Sequence, residues 1–396
     1  MKNLVIVGGG HAAVQCAASL RDNNDSSSIT LISSDNDAPY HRPPISKKYP
    51  ITGVPSDFSL LRPAEFFEEK SINLHTGTTV ARINIEERYV VAEDGTQWGF
   101  DNLVLATGSA PRPLDIPGIE HALTLYSLSD ARAVAEQILN AKSAVVIGAG
   151  FIGLEIAATL NSARITTTVI ESAPRILARS LTASLADQVH GLHETAGLRI
   201  LCNSVVEQIS SDGVMTNDGF LQADLVFCGT GSAPRTELAT KAGLTVTDGI
   251  EVDRYLETSV PGVYAIGDIA SFEKEDGTRQ RYESVQNAND QARTLAKTLS
   301  GNRTAYDAFP WFWSDQGKLK LQMAGVSQSS TETVIIEGDE PPRMAAFCFK
   351  EGVLCAVETI NWPAYHALSR KALSDGRVIT HDQLGRVEFN LKSALK

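Results

Sequence analysis

Residues 144–160, AVVIGAGFIGLEIAATL, run from a short apolar segment through three glycines into a helical stretch. Gly148, Gly150 and Gly153 have the spacing GxGxxG. In that pattern the first glycine permits a tight turn, the second lets a pyrophosphate approach the backbone, and the third lets the helix pack closely on the strand. Another apolar run, 167-TTVIE-171, follows. The segment therefore predicts a βαβ unit that binds a dinucleotide at the N-terminus of its helix.

The end of that second run selects the nucleotide. Glu171 stands 18 residues after Gly153, where a carboxylate accepts hydrogen bonds from ribose hydroxyls and repels a 2′-phosphate. NAD is therefore favoured over NADP, although Arg175 lies near enough in sequence to attract a phosphate. The alternative is a duplicated domain that binds nothing. The residues expected to bind NAD here are Gly148, Gly150, Phe151, Ile152, Gly153, Glu171 and Gly231.

A similar turn occurs earlier, at 4-LVIVGGGHAAVQCAASL-20. Gly8 and Gly10 fill the first two positions, and Ala13 fills the third, where a small side chain still allows close helix packing. The apolar run 29-ITLI-32 follows. This segment also predicts strand, turn, helix and strand, and hence a second nucleotide site. The alternative is an ordinary glycine turn in an α/β protein.

Later segments repeat one another. Both 103-LVLATGSAPR-112 and 224-DLVFCGTGSAPR-235 place TGSAPR after an apolar run, which predicts two related domains. The last part of the chain differs, because alternating apolar stretches at 333–337 and 345–360 precede a helical pattern near 363–373. That order is typical of antiparallel hairpins followed by a helix.

The sequence therefore predicts an α/β fold with two Rossmann-like dinucleotide-binding domains and a C-terminal α+β domain with an antiparallel sheet. We expect the first domain to be discontinuous, at 1–112 and 240–314. The second domain is expected at 113–239 and the C-terminal domain at 315–396.

Composition argues against several classes of partner. The 396 residues carry 35 Lys and Arg against 47 Asp and Glu, a net charge of −12, which disfavours nucleic acid and anionic membranes as partners. No apolar run approaches the ~18–20 residues that span a bilayer. The N-terminus is expected to be the first strand and not a signal sequence. Five scattered cysteines without metal-binding spacing predict reduced thiols, no metal site and a cytoplasmic protein.

Finer motifs give the chain a family resemblance. The segments 106-ATGS-109 and 263-VYAIGDIA-270 are similar to those of flavoproteins that have two dinucleotide-binding domains. The chain resembles the oxygenase-coupled NADH:ferredoxin reductases, of the putidaredoxin reductase and aromatic-ring dioxygenase reductase type, at 40-YHRPPISKKY-49, 281-RYESVQNANDQA-292 and 310-PWFWSDQ-316. The resemblance covers essentially the whole chain. It implies FAD in the first domain, NADH in the second, and a glutathione-reductase-like arrangement.

The resemblance also implies roles for single residues. Lys47 would lie near the flavin, where a buried ammonium stabilises the anionic reduced form; a solvated surface lysine is the alternative. Trp313 would lie beside the flavin, with core packing as the alternative. Glu155 would lie close to the nicotinamide, or it simply favours the N-terminal region of its helix. The expected FAD contacts are Gly8, Gly10, Ala12, Ala13, Ser34, Asp35, Arg42, Pro43, Lys47, Val80, Ala106, Thr107, Gly108, Arg112, Gly267, Asp268, Ser284, Val285 and Trp313.

The chain departs from that family at two places. Members often carry a glycine and then an acid after the second strand, whereas this chain reads Ser33-Ser34-Asp35. Asp35 is the nearest acid for the ribose hydroxyls, and Ser34 could share its role. Members also tend to carry an arginine where Tyr126 stands, so the contact that this arginine makes to the flavin nucleotide is not expected here, and Arg42 or Arg112 could supply the charge instead.

Electrons on the flavin need an acceptor. Related enzymes use a redox-active disulfide, but residues 36–48 contain no cysteine. The resemblance implies instead a [2Fe–2S] ferredoxin, reduced one electron at a time, that feeds a Rieske dioxygenase, a monooxygenase or a cytochrome P450. Ferredoxins are usually acidic, so docking needs a local basic patch, with Lys318, Lys320 and Arg62 as candidates. The alternatives are a rubredoxin reductase, an NADH oxidase and a non-enzymatic redox sensor similar to apoptosis-inducing factor.

Overall fold

The computed structural model describes residues 2–55, 58–340 and 342–384, and the chain divides into two compact units. The segments of the first unit are Met1–His41, Ser56–Ala110 and Ser232–Ala308. The segments of the second unit are Arg42–Pro55, Pro111–Gly231 and Phe309–Lys396. Each unit is therefore discontinuous in sequence. The finer division into three domains stays a prediction.

A five-stranded parallel sheet forms the centre of the first unit. Its strands lie in the order Val263–Ala265, Asn102–Leu105, Asn3–Val7, Ser28–Ile32 and Ile72–His75. Leucine and β-branched side chains dominate these strands, and most are fully buried, as parallel strands covered on both faces require. The helix His11–Asp22 connects the two strands on either side of the first glycine turn. The predicted order of strand, turn, helix and strand is therefore confirmed.

Smaller elements complete the first unit. Its other helices are Ala64–Glu69, Glu237–Lys241 and Val285–Leu299, with a 3-10 turn at Gly267–Ile269. Its antiparallel three-stranded sheet comprises Val80–Asn84, Tyr89–Ala92 and Gln97–Gly99. A four-stranded mixed sheet comprises Val246–Thr247, Gly249–Val252, Ala270–Glu273 and Arg279–Gln280. A short strand at Ser232–Pro234 occupies the second TGSAPR segment, and the strand Ser109–Pro111, at the sequence boundary between the units, occupies the first.

The second unit repeats the parallel arrangement. Its sheet has the strand order Arg199–Leu201, Thr166–Ile170, Ser143–Ile147 and Leu225–Cys228. The helix Phe151–Ser162 begins inside the glycine turn, because Gly150 is extended (φ −77°, ψ −178°) and stands at the N-cap position. The helical geometry therefore starts immediately at the glycine turn.

The C-terminal part of the second unit is an antiparallel sheet. Its strands lie in the order Trp311–Gln316, Leu319–Gly325, Val353–Ile360, Met344–Lys350 and Glu332–Glu337. The helix Pro363–Ser374 packs on this sheet and begins with a proline, which suits the first helical position because no N–H is needed there. The predicted hairpins and helix are confirmed, and with them the α/β class with two Rossmann-like sheets and an antiparallel C-terminal sheet.

The remaining elements of the second unit are short or peripheral. The helices are Tyr49–Thr52, Leu128–Ile138, Ala183–Thr195 and His381–Leu384, with a 3-10 turn at Ile119–His121. A three-stranded antiparallel sheet comprises Val206–Ser210, Gly213–Thr216 and Gly219–Gln222. Among the residues that the structure describes, no helix is long and apolar enough to cross a membrane.

The helix Pro363–Ser374 buries a histidine against the antiparallel sheet. His366 is 3% exposed, and neither ring nitrogen has a hydrogen-bond partner among the described residues. Its ring lies 5.7 Å from the ring of Trp311. Burial, with a smaller contribution from the charge of Arg370, lowers the pKa of His366 from 6.5 to about 4.

Stability should therefore depend on pH through His366. Because the pKa of His366 is lower in the folded protein, the unfolded chain binds more protons than the folded one between pH 6.5 and about pH 4. The folded state therefore loses stability as the pH falls through that range. We expect the thermal midpoint of the wild-type protein to fall more steeply than that of His366→Leu as the buffer is acidified. His121→Gln, at an exposed histidine, should follow the wild type. Parallel curves for wild type and His366→Leu would contradict this assignment.

Candidate functional site

The first glycine turn leaves a helix N-terminus open. Gly8 has φ +133°, and a Cβ on it would lie 2.1 Å from the carbonyl oxygen of Ala106, so only glycine fits. Gly10 precedes the helix His11–Asp22, which no described side chain caps. None of the described residues lies within 4 Å of a Cβ placed on Gly10. The free space beside Gly10 and the uncapped N-terminus of this helix fit a pyrophosphate.

The three residues after the strand Ser28–Ile32 differ in their burial and contacts. Ser33 is buried and packs against the turn. A Cβ on Gly9 would lie only 2.3 Å from the Ser33 Oγ, so the turn needs glycine there. Ser34 is exposed. The carboxylate of Asp35 accepts a hydrogen bond from the Tyr40 hydroxyl at 3.2 Å. Asp35 is thus oriented by Tyr40, which the glycine motif of the first turn did not indicate.

Other expected FAD contacts lie on loops of the same unit. Asp268, in the 3-10 turn Gly267–Ile269, accepts a hydrogen bond from Ser109 Oγ at 3.2 Å. Gly267 donates its N–H to Gln291 Oε1 at 2.7 Å. Ser284 caps the helix Val285–Leu299 by accepting from the N–H of Asn287 at 3.0 Å. Ser109 and Gln291 were missed in the sequence, although each lies inside or beside a motif already identified.

The remaining predicted FAD contacts fall into two groups by position. Several belong to the first unit with the turn: Ala12, Ala13, Val80, Ala106, Thr107, Gly108 and Val285. Others belong to the second unit: Arg42, Pro43, Lys47, Arg112 and Trp313. Their roles toward FAD stay predictions.

The second glycine turn has the same construction as the first. Gly148 has φ +100°, and its Cβ would lie 2.6 Å from the carbonyl oxygen of Gly229. A Cβ on Gly153 would lie 2.0 Å from the carbonyl oxygen of Gly148. By contrast, none of the described residues lies within 4 Å of a Cβ on Gly150, and no described side chain caps the helix that follows. This turn therefore also fits a pyrophosphate.

Backbone hydrogen bonds fix the acid beside this second turn. Glu171 Oε2 accepts from the N–H of Ala149 at 2.8 Å, and Oε1 accepts from the N–H of Ala173 at 2.8 Å. Each carboxylate oxygen keeps further lone-pair capacity, so ribose hydroxyls can still donate to it. The carboxylate is thus held in place before any nucleotide arrives.

The nearby arginine is turned toward its own loop. Arg175 Nη2 donates to the carbonyl oxygen of Ala178 at 2.9 Å, and Nη1 lies 3.4 Å from those of Ile176 and Leu177. A guanidinium held in this way is not directed to the 2′ position of a nucleotide. The positive charge of Arg175 is therefore held at the carbonyl oxygens of residues 176–178.

Three other predicted NAD contacts surround the turn. Phe151 packs on Phe312 with ring centroids 4.8 Å apart. Ile152 is 47% exposed, which is unusual for isoleucine and leaves its side chain open to a ligand. Gly231 has φ +97° and accepts the N–H of Arg112 at 2.9 Å.

The structure brings Lys47 and Glu155 together. Glu155 is 2% exposed, and its Oε2 accepts from Lys47 Nζ at 2.7 Å and from Ser46 Oγ at 2.6 Å. Its Oε1 accepts from Ser314 Oγ at 2.6 Å. A buried carboxylate is stable only with such donors, and these satisfy both oxygens. The sequence did not indicate Ser46 and Ser314 as partners of Glu155, although they lie next to Lys47 and Trp313 in the motifs PPISK and PWFWSDQ.

The same helix anchors the backbone of the PPISK motif. Thr159 Oγ1 donates to the carbonyl oxygens of Ser46 at 3.2 Å and Lys47 at 3.0 Å. Glu155 and Thr159 are one helical turn apart, so one face of the helix holds both the side chain and the backbone of Lys47.

Arg42 lies beside the tyrosine that departs from the family pattern. Its guanidinium lies 4.8 Å from the centroid of the Tyr126 ring and donates to the Tyr126 carbonyl oxygen at 3.1 Å. The capping box of Ser127 and Asp130 fixes the backbone there, because the Asp130 carboxylate also accepts from the Tyr126 N–H at 3.0 Å. Positive charge thus stands at the Tyr126 position, supplied by Arg42.

Trp313 and the two candidate docking lysines share one hairpin. Trp313 is partly buried, and its ring lies 5.5 Å from that of Trp311. Lys318 and Lys320 are exposed at the turn and on the following strand. The carboxylate residue Asp315 pairs in register with Lys320, so it tempers the positive charge of the hairpin.

Two family models match this chain. The one described as pyridine nucleotide-disulphide oxidoreductase matches residues 2–292, and the one described as reductase C-terminal matches residues 311–395. Together they span both Rossmann-like sheets and the antiparallel sheet.

Individual relatives match over nearly their full length. Rhodocoxin reductase from Rhodococcus erythropolis is 37% identical over 99% of this chain and 94% of its own. The ferredoxin reductase for the CYP199A2 system from Rhodopseudomonas palustris has a TM-score of 0.97 at 38% identity, with both chains fully covered. The reductase in a covalent putidaredoxin reductase–putidaredoxin complex has a TM-score of 0.94 at 34% identity, over 100% of this chain and 98% of that one. The chain therefore belongs to the pyridine nucleotide-disulphide oxidoreductase family, and the resemblance to oxygenase-coupled ferredoxin reductases is confirmed.

Proposed function

We propose that this chain is an NADH-dependent FAD reductase that passes electrons one at a time to a [2Fe–2S] ferredoxin, which feeds an oxygenase. The observation that carries the proposal is the presence of two open glycine turns in one chain, at Gly10 and Gly150. Two dinucleotide sites in one chain suit a reaction in which one nucleotide reduces the other. The relatives support the acceptor, because one serves a CYP199A2 system and another was solved bound to putidaredoxin.

The residues of the first unit hold FAD. The N–H groups after Gly10 bind its pyrophosphate, and Asp35 accepts from ribose hydroxyls. Asp268, oriented by Ser109, accepts from a hydroxyl of the ribityl chain. Arg42, which belongs to the second unit, supplies positive charge beside Tyr126, where the family resemblance implies an arginine.

The residues of the second unit bind NADH and organise the chemistry. The turn at Gly150 binds the pyrophosphate, and Glu171 accepts from the ribose. Bound FAD supplies the redox chemistry, since a flavin takes a hydride from NADH and releases electrons singly. Glu155 fixes the ammonium of Lys47, which would provide positive charge near a bound flavin, and Trp313 would lie beside that flavin.

The positions of the cysteines favour an external protein as the electron acceptor over a disulfide within this chain. All five cysteines are free in the described chain, and none lies in residues 36–48. Burial raises the pKa of the Cys16 thiol to about 12 and that of Cys228 to about 11, so both are unreactive near neutral pH. Reduced thiols also fit the cytoplasm, where we propose that the protein works. Lys318 and Lys320 are proposed to steer the ferredoxin.

Absorbance separates this function from its alternatives. We expect flavin bands in the purified protein to bleach with NADH and far less with NADPH, and cytochrome c to be reduced rapidly only after a [2Fe–2S] ferredoxin is added. Rapid oxidation of NADH by oxygen alone would favour an NADH oxidase. Equal rates with rubredoxin would favour a rubredoxin reductase. A flavin that NADH does not bleach would reject the enzyme and leave a redox sensor.

Alanine at the two open glycines should separate the nucleotide sites. Gly10 (φ −86°) and Gly150 (φ −77°) have backbone conformations that alanine adopts, but a methyl group there fills the space for a pyrophosphate. We expect Gly10→Ala to be purified largely without FAD. Gly150→Ala should keep FAD, while its KM for NADH rises about tenfold, or about 1.4 kcal/mol.

Gly191 is the matched control for these variants. It lies inside the helix Ala183–Thr195, where alanine also meets open space. Gly191→Ala should retain FAD and the KM for NADH. Full FAD in Gly10→Ala, or loss of FAD in Gly150→Ala, would overturn the assignment of the turns.

Charge reversal tests the docking hairpin. Lys318→Glu with Lys320→Glu should raise the KM for ferredoxin about fivefold or more, because opposite charge steers association. The rate from NADH to ferricyanide should stay unchanged, since ferricyanide needs no docking surface. The control double variant Lys70→Glu with Lys241→Glu alters net charge equally at two other exposed lysines. If both double variants change the KM for ferredoxin equally, the effect reflects net charge and the hairpin is not the docking site.

A further inference from the structure

Hydrogen bonds continue from Glu155 into the protein interior. Ser314 Oγ donates to Glu155 Oε1 at 2.6 Å and lies 3.2 Å from Gln316 Nε2, which donates to it. Gln316 Oε1 lies 2.7 Å from His193 Nε2. A continuous chain thus runs from the helix Ala183–Thr195 through the strand Trp311–Gln316 to the carboxylate.

Every member of this chain is buried. Ser314, Gln316 and His193 are at most 2% exposed. Ser314 and Gln316 point to the same face of their strand because they are two residues apart. Polar side chains in such an environment are costly unless each finds its partner, and here each does. The SDQ end of PWFWSDQ therefore provides two buried polar groups to one network.

The carboxylate sets the direction of every hydrogen bond in the chain. The Glu155 carboxylate is paired with Lys47 through Oε2, and its other oxygen, Oε1, can only accept a hydrogen bond. The Ser314 hydroxyl therefore donates to Oε1. The Ser314 oxygen then accepts from the Gln316 amide nitrogen, which turns the Gln316 oxygen to His193. Because an amide oxygen only accepts, His193 must carry its proton on Nε2. Burial lowers the pKa of His193, which agrees with a neutral ring.

We propose that Ser314, Gln316 and His193 are positioning residues for the reaction, which hold the Glu155 carboxylate and through it the Lys47 ammonium. This inference rests on the proposed function, in which Lys47 and Glu155 lie at the reacting rings. Without the Ser314 hydroxyl, Glu155 Oε1 has no donor among these residues, while Ser46 and Lys47 still donate to Oε2. The carboxylate then rotates, and the ammonium loses its fixed position.

Positioning residues predict a loss in rate and not in nucleotide binding. We expect Ser314→Ala and Gln316→Leu to keep FAD, to bind NADH within about twofold of wild type, and to bleach about tenfold more slowly at saturating NADH, since small misplacements of reacting groups carry penalties of this size. Stopped-flow absorbance over a range of NADH concentrations measures both quantities.

Thr359→Val is the matched control for these variants. Thr359 is fully buried in the same sheet, and its hydroxyl donates to the carbonyl oxygen of Gln322 at 3.1 Å, outside the chain. It should bleach at the wild-type rate. Equal rates in Thr359→Val, Ser314→Ala and Gln316→Leu, whether fast or slow, would overturn the proposal. A wild-type flavin that NADH does not bleach at all would instead reject the proposed function.

Nitrogen NMR of histidine tests the chain without turnover. In ¹⁵N-histidine-labelled holoenzyme, His193 should show a single neutral tautomer with its proton on Nε2, assigned by its absence in His193→Gln. In Ser314→Ala the Gln316 amide is released, so the Nδ1–H tautomer should gain population. An Nδ1–H tautomer in the wild-type protein, or an unchanged tautomer in Ser314→Ala, would overturn the inferred direction of the hydrogen bonds.

Discussion

A carboxylate removed from water must receive hydrogen bonds or lose its charge, and Glu155 meets this requirement with donors that are distant in sequence. Lys47 and Ser314 are 108 and 159 residues from it. Leaving such a charge without partners costs several kcal/mol, so the donors are required once Glu155 is buried. The ion pair with Lys47 alone would satisfy one oxygen. The hydroxyls of Ser46 and Ser314 complete the set, which makes the geometry of the carboxylate specific.

That requirement holds three segments of the second unit together. The segment Arg42–Pro55 reaches the helix Phe151–Ser162 through Ser46 and Lys47, and the strand Trp311–Gln316 reaches the same helix through Ser314. Sequence continuity had placed Lys47 with the first nucleotide turn. In the structure this short segment belongs to the same compact unit as the second turn and the C-terminal sheet, and the ion pair is one of the contacts that join it to the helix Phe151–Ser162.

Local rules were enough to predict the frame of the molecule. Glycine spacing and apolar runs predicted both Rossmann-like sheets, and alternation predicted the antiparallel sheet, because these patterns depend on neighbours within a few residues. The partners of Glu155 could not be predicted in this way, since nothing local to Ser314 shows which group lies opposite. The orientation of Arg175 was equally inaccessible. Its position near Glu171 suggested a phosphate ligand, whereas its donors bind carbonyl oxygens of its own loop.

The two glycine turns share one backbone design but differ in how the acid beside each turn is held. Glu171 follows its strand directly and is bonded to the turn through the N–H of Ala149, so the second site presents a compact, preformed acceptor. Asp35 stands further from its strand and is oriented by Tyr40. The first site draws on contacts spread along the chain, with Asp268 and Arg42 among those proposed. For the proposed reaction, contacts spread along the chain suit FAD, which stays bound between turnovers, and a compact preformed acceptor suits NADH, which leaves after each hydride transfer.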